Sequence, residues 1–454
     1  MNRIIATFRN IWSISELKTR ILFTFGLLMV YRFGSYVLLP GVVPSVLENA
    51  SKQRGANDLL GLINTFTGGA FNKGSVFALG VMPYITASII IQLLGFAVPY
   101  FQRLQQHEGE SGRKKLNQLT RLLAVAVTLV QGSGYLTFIQ AQKAVAPNLP
   151  ATVFWFSGIL VLTAGTIFAM WLGERITEKG LGNGTSFIIM SGIIDALPQA
   201  LIFEFTSQNS ILFVLEMAAW FMVVMATIVI IQGVRKIPLQ FAKRMVGRTG
   251  AAGLPTAGNR DYLPIKVNAA GVMPIIFAQA LMFLPATVGQ FLSKSSAGEH
   301  PILRSLQDYT SPLYNVIYFL LVVIFTYVYT ALIVNPQQYA EYLKRQNAFI
   351  PGVKPGNNTA EYIDAVTTRI TLPGSIFLGF ISILPGIAAL FGIKSGFTRF
   401  FGGTSILIMI GVILDTLQQV ESYLLLKKYD GLVKSGRLQG RVGGVGMIVG
   451  EGNP

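Results

Sequence analysis

The sequence predicts an all-α membrane protein that crosses the bilayer about ten times, and three observations carry that expectation. Only 12% of the 454 residues are charged and 52% are apolar, where a soluble chain carries roughly a quarter charged residues. Apolar stretches of about twenty residues, each long enough for a bilayer core of about 30 Å, recur from end to end. The basic residues collect in alternate loops. Helices are expected because backbone inside lipid must satisfy its own hydrogen bonds within one segment. The alternating segments of a membrane barrel, about ten residues each, are absent.

Spans are expected near 21–40, 76–99, 119–140, 152–173, 184–203, 211–233, 269–292, 313–334, 371–391 and 404–426. Before the first, Ile4, Ile5, Phe8, Ile11 and Trp12 recur at helical spacing with Arg3 and Arg9 between them. That pattern suits an amphipathic helix lying on a membrane surface or against a partner. Arg32 falls at the outer end of span one, where snorkelling to the interface is the expected behaviour.

Between spans one and two, Leu59 to Phe66 is followed by Thr67-Gly68-Gly69-Ala70. This stretch is too short to span and too apolar for a solvated loop. A short re-entrant helix ending at Gly68-Gly69 is expected within about 58–75. Non-spanning backbone at such depth needs protein or water around it, so the segment hints at a cavity.

The spans divide five and five at the weakly charged stretch 198–210. This gives an N-terminal half 1–203, a C-terminal half 204–434 and a tail 435–454. An odd number of spans per half orients the halves oppositely, and inverted halves commonly enclose a pathway. No strong residue-level repeat accompanies this symmetry in the reading from span count.

Of the 36 Lys and Arg residues, 27 fall on one side, 8 on the other, and Arg32 lies within span one. This asymmetry puts the basic side, with both termini, in the cytoplasm. Topology alone can account for the excess; docking to an anionic partner is the competing origin. Two basic cytoplasmic loops, 233–267 and 335–369, are too long to be simple connectors.

No cysteine is present, which removes disulfides, thiolate metal sites and Cys nucleophiles. The two histidines, His107 and His300, fall in loops on opposite sides. No HExxH, Ser–His or midspan Asp pair occurs, so no catalytic residue, metal site or cofactor is expected. A solute transporter or ion channel needs polar groups near the midplane. Glu174 and Asp195 are read near helix ends and Glu216 in the first turns of span six. That leaves Asp415, beside Gln418 and Gln419, which suits a helix–helix hydrogen bond. Val81 and Ile85, Ile189 and Ile193, Ile276 and Ile408 fall near the midplane of spans two, five, seven and ten. Paired members are four apart and share a helix face. By periodicity alone this is ordinary apolar packing.

Five stretches together resemble the SecY family, the channel subunits of the general secretory translocon. They are Tyr31-Arg32-Phe33-Gly34-Ser35-Tyr36 with Pro40-Gly41; the run from Ala78 to Leu94, including Val81-Met82-Pro83-Tyr84-Ile85; Glu108-Gly109-Glu110-Ser111-Gly112-Arg113-Lys114-Lys115; Glu178-Lys179-Gly180-Leu181-Gly182-Asn183-Gly184-Thr185-Ser186; and Phe349-Ile350-Pro351-Gly352-Val353-Lys354-Pro355-Gly356. Order, spacing and the ten-span frame match from about residue 10 to 440.

The resemblance implies a clamshell of two inverted five-helix halves around an hourglass channel in the bacterial inner membrane. Its waist would be a ring of Val81, Ile85, Ile189, Ile193, Ile276 and Ile408. Branched apolar side chains can seal around an extended chain of any sequence and dewet when empty. The re-entrant segment, with Leu62, Ile63, Asn64, Phe66, Gly68 and Gly69, would be a plug. The seam of spans two and three with spans seven and eight would be a lateral gate releasing signal sequences and transmembrane segments into lipid. Gln92 and Asn268 are candidates for polar contacts holding that seam shut, with simple interhelical bonding as the alternative.

The long loops resemble docking surfaces for the ribosome or the motor ATPase SecA. Arg235, Lys236, Lys243, Arg244, Arg248, Lys354 and Arg369 would supply the charge. Small membrane subunits, SecE and SecG, are implied as partners. Lys354 stands where the family commonly has Arg, keeping the charge and losing the bidentate fork. The tip Gly247–Gly258 is longer and richer in glycine than usual. Two other readings compete. An inverted-repeat transporter of a small solute needs a charged midplane site, for which Asp415 is the main offer. A scaffold without a conduit leaves the plug segment unexplained.

Overall fold

The computed structural model describes residues 12–53, 59–106, 109–147, 150–207, 210–241, 260–292, 305–306, 308–390, 395–398, 400 and 402–434. The N-terminal amphipathic segment up to Ile11, Asp58 at the start of the expected plug, both histidines, Lys243, Arg244, Arg248, the tip 247–258 and the tail from 435 lie outside the described residues.

The first block comprises α1 (Ser15–Gly34), α2 (Pro44–Gln53), α3 (Leu59–Phe66), α4 (Ala70–Lys73), α5 (Met82–Ala97), α6 (Pro99–Gln106), α7 (Gly109–Ala141), α8 (Ala151–Lys179) and α9 (Gly184–Ser207). The second comprises α10 (Ser210–Gln232), β1 (Val234–Phe241), β2 (Arg260–Lys266), α11 (Met273–Leu292), α12 (Pro312–Ile333), α13 (Pro336–Arg345), β3 (Ala348–Phe349), α14 (Asn357–Leu390), α15 (Ser395–Thr398) and α16 (Gly403–Lys434).

Among the described residues, seven helices are long and apolar enough to cross a membrane, and shorter apolar helices cover Met82–Gly95 and Met273–Met282. The most apolar 18 residues within Ile211–Gln232 have a mean hydropathy of 2.4, yet only 6% of them are buried. Ile211, Phe221 and Met222 point outward from it. Hydrocarbon tolerates that surface and water does not.

Spans two and seven begin later than the sequence expectation of 76 and 269. Their helices start at Met82 and Met273. The cause is a repeated tetrad, Gly80-Val81-Met82-Pro83 and Gly271-Val272-Met273-Pro274. Each glycine is left-handed, with φ of 53° and 64°, which breaks the helix upstream. Each proline falls in the first helical turn, where its missing N–H leaves no intrahelical bond unmade. A residue-level repeat between the halves therefore exists after all.

α9 continues through Pro198 to Ser207, so the half boundary expected at 203 falls inside a helix. α7, α8, α14 and α16 run 33, 29, 34 and 32 residues, and their extra length extends on the side of the basic loops. The 233–267 loop is not helical or irregular throughout. β1 pairs antiparallel with β2, Arg235 opposite Ile265, and with β3, Gln240 opposite Phe349, in the order β2-β1-β3. Ile237, Leu239, Ile265, Leu343, Ala348, Ile350 and Ile363 form a small core beneath it. This sheet is an addition to the all-α expectation.

α5, α7, α8 and α9 pack in succession, with α1 against α8 and α9; α11, α12 and α14 pack likewise, with α16 against α14 and α10. The two blocks meet along two lines, α9 against α16 and α11 against α5 and α7. Close approach within the first block depends on Gly165, where a Cβ would overlap the carbonyl of Val76. Gly165→Leu is expected to cost about 1–3 kcal/mol and to lower the thermal unfolding midpoint of the purified protein in detergent. Gly26→Leu, whose Cβ meets nothing within 4 Å, is expected to leave the midpoint in place.

Candidate functional site

Val81, Ile85, Ile189, Ile193, Ile276 and Ile408 are each at most 6% exposed and belong to one contiguous apolar cluster. They come from the N-terminus of α5, from α9, from α11 and from α16, so both blocks contribute. Val81 caps α5, and its carbonyl accepts from the Ile85 N–H at 3.1 Å. Ile85, Ile189 and Ile276 also form the apolar end of a cavity of about 350 Å³. Its other walls, toward the basic loops, carry Gln92, Asn117, Arg121, Glu174 and Asn183. Arg121 grips Glu174 in a fork, Nε and Nη2 donating to the two carboxylate oxygens at 3.0 and 2.7 Å. Such a bidentate pair holds its geometry better than single-point contacts do.

The re-entrant segment packs from the opposite direction, with Phe66 and Ala70 in the same cluster as the six. α3 ends as the sequence suggests. Gly68 is left-handed at φ 62°, its N–H donates to the Thr65 carbonyl at 3.2 Å, and the Gly69 N–H reaches the Asn64 carbonyl at 2.8 Å. These are the two bonds of a Schellman cap. The Asn64 side chain accepts from the Asn72 N–H at 2.9 Å, tying α3 to α4. Ile63 is buried, and Leu62 lies between Gly61 and Ile63 in α3. The segment rests on α9 at Gly192, where a Cβ would collide with the Phe66 carbonyl and the Gly68 N–H. Gly192 immediately precedes Ile193, so this seat adjoins the cluster.

Two expectations are corrected here. Arg32 does not snorkel: Nη1 donates to the Gly68 carbonyl at 2.9 Å, and Nη2 pairs with Asp195. Asp195 is not near a helix end, because α9 runs from 184 to 207. A charge at membrane depth is far more stable paired than alone. Among the described residues, Gln92 and Asn268 bond locally. Gln92 donates to Ser88 on its own helix at 3.2 Å, and Asn268 donates to the Gly271 carbonyl in its own turn at 3.0 Å.

The described basic candidates fall on different elements. Arg235 and Lys236 are exposed near the start of β1, Lys354 is exposed after β3, and Arg369 is exposed on α14 rather than in a loop. With a rise of about 3.3 Å per residue, Arg235 lies about 16 Å along the strand from Gln240, where β3 pairs. No cluster of three or more potential metal ligands occurs among the described residues.

Sequence reasoning missed the Arg32–Asp195 and Arg121–Glu174 pairs. A signal for the first was available: an intramembrane Arg needs an acid, and few acids lie within spans.

Membrane-length helices in two blocks, a buried apolar cluster shared between them, a polar cavity on one side and a short helix on the other fit a channel-type membrane protein. Residues 75–417 match the SecY family. The chain is also 40% identical over 461 residues to the protein translocase subunit SecY of Chlamydia trachomatis, covering 96% of this chain and 100% of that one. The chain belongs to the SecY family.

Its fold is shared with "The structure of a protein conducting channel" (TM-score 0.62, 17% identity, 89% of this chain and 92% of that one). It is shared also with Sec61 in the canine ribosome-channel complex from the endoplasmic reticulum (TM-score 0.57, 15% identity, 89% and 92%). The protein is accordingly a multi-pass membrane channel subunit, neither an enzyme nor a small-solute transporter.

The seat at Gly192 yields a direct test. Thr65, in α3, is buried, so Thr65→Cys in this cysteine-free chain is expected to resist a water-soluble maleimide. Adding Gly192→Leu is expected to lift α3 off α9 and raise the labelling rate several-fold, read by mass shift.

Proposed function

We propose that the chain is the central subunit of a bacterial inner-membrane Sec translocon. It passes unfolded secretory polypeptides through the collar of Val81, Ile85, Ile189, Ile193, Ile276 and Ile408. Transmembrane segments leave sideways between α5 with α7 and α11 with α12. The observation that carries this reading is the convergence of six apolar side chains from both blocks, with a polar cavity on one side and α3 on the other. An extended chain of any sequence can pass such a collar because branched apolar groups offer neither ions nor peptide a fixed binding site. The 59–69 segment closes the passage when no substrate is present.

The side carrying the basic loops, with both termini, faces the cytoplasm. The cavity with Arg121 and Glu174 is then the cytoplasmic vestibule, and α3 plugs the outer funnel. Arg235, Lys236, Lys354 and Arg369 offer a charged surface to ribosomal RNA phosphates or to acidic faces of SecA, together with Lys243, Arg244 and Arg248. SecE and SecG are the small membrane subunits that complete the assembly. Lateral release follows from partitioning, at about 0.3–0.6 kcal/mol per good apolar residue.

Two experiments address the collar. With Ile85→Cys or Ile276→Cys and a thiol-reactive probe in a stalled secretory chain, an adduct is expected at the collar and none at the outward-facing Met222→Cys. Labelling at Met222 but at neither collar position would remove the passage from these residues. The double change Ile189→Gly with Ile193→Gly is expected to raise the resting ion conductance of reconstituted channels clearly above the parent. Unchanged conductance would count against a seal at this point.

A further inference from the structure

We propose that Arg32 and Asp195 form a latch that holds the plug closed and couples its release to movement of α9. The inference deepens the reading above, since it rests on 59–69 acting as a plug.

The guanidinium of Arg32 joins three segments. It sits near the outward end of α1, donates through Nη1 to the Gly68 carbonyl at 2.9 Å and pairs through Nη2 with the carboxylate of Asp195 on α9. Gly68 is the left-handed residue that ends α3, so the bond grips the plug at its closing turn. Both ionic partners are partly withdrawn from solvent, with side-chain exposures of 24% for Arg32 and 41% for Asp195.

The ring of Tyr36 lies beneath the same guanidinium at 5.3 Å and also receives the ammonium of Lys73 at 3.9 Å. Lys73 is the last residue of α4, just beyond the plug turn. Tyr36 thus receives cations from both α1 and α4, and the aromatic face attracts each one.

Asp195 lies three residues from Gly192, so both occupy one face of α9. Gly192 gives the plug backbone room, and Asp195 fixes the arginine that binds it. Ile189 and Ile193 ride on the same helix. A displacement that widens the collar by moving α9 relative to α1 therefore stretches the Arg32–Asp195 pair as well. Hydrogen bonds of this kind weaken steeply beyond about 3.5 Å. Once the pair opens, Arg32 loses the carboxylate that orients it, and the plug loses its donor. The latch makes plug release a consequence of helix movement rather than a separate event.

Thr65→Cys reports the plug, with a membrane-impermeant maleimide applied from the face opposite the basic loops. Arg32→Gln is expected to raise its modification rate about tenfold, the ratio one charge-assisted hydrogen bond supplies. Asp195→Asn leaves α1 intact and is expected to act in the same direction by a smaller factor. Arg32→Lys retains the charge but lacks the planar fork and is expected to fall between the parent and Arg32→Gln.

Deletion of 60–68, read by resting conductance, tests the plug separately. A leaking deletion with unchanged Thr65→Cys labelling in both Arg32→Gln and Asp195→Asn overturns the latch and leaves the plug standing. A deletion that does not leak overturns the plug reading, and the latch with it. A leaking deletion with graded labelling across the three variants supports the latch.

Discussion

Hydrocarbon gives a polypeptide nothing to hydrogen-bond with, and the rest of this structure follows from that constraint. Regular helices satisfy their own backbone. The pieces that are not regular are covered by protein groups supplied from elsewhere in the chain. The turn after α3 receives Arg32 at the Gly68 carbonyl, and the Phe71 carbonyl receives the Tyr135 hydroxyl at 2.6 Å. Tyr31 and Phe77 stack in the same apolar cluster as Phe66 and Ala70, with centroids 5.1 Å apart. The same constraint explains why Arg32 finds a carboxylate, and why the Arg121–Glu174 pair sits on the wall of a cavity.

α9 concentrates the consequences. It lies against α1, α3, α8, α15 and α16, and it carries Ile189, Gly192, Ile193 and Asp195 within seven residues. Each of these has a different task set by side-chain chemistry. The isoleucines are β-branched and stiff at χ1, so they present a defined apolar edge. The glycine removes a side chain where another backbone must come close. The aspartate supplies the one charge that a neighbouring arginine requires. All four share one helix, so the α9 side of the apolar cluster, the glycine contact with 66–68 and the ion pair are tied to a single element.

Much of this was legible before any coordinates. Span positions follow from runs of apolar residues, and the end of α3 follows from Gly68-Gly69, since a left-handed cap is a local signal. Other features depend on distant partners. The sheet formed by β1, β2 and β3 pairs Arg235 with Ile265 and Gln240 with Phe349, and no local pattern announces pairing across such separations. Depth is similarly hidden: Asp195 already fell eight residues inside the expected span 184–203, and only the fold shows that Arg32 lies beside it. Gln92 has Ser88 four residues earlier and Asn268 has Gly271 three residues later, so the local partners both amides use stood in the sequence. The Gly-Val-Met-Pro tetrad also stood there twice, invisible to a reading of symmetry by span count alone.

That tetrad has a mechanical consequence. Ile85 and Ile276 occupy the same place after it, two residues beyond the proline in each copy. Both sit in the opening turn of a helix, directly downstream of a left-handed glycine. Two members of the proposed collar thus sit in the first turns of helices rather than in the middle of continuous rods. In the proposed channel, rotation about one glycine would tilt its isoleucine without bending a helix, letting the collar follow a bulky or slender substrate segment.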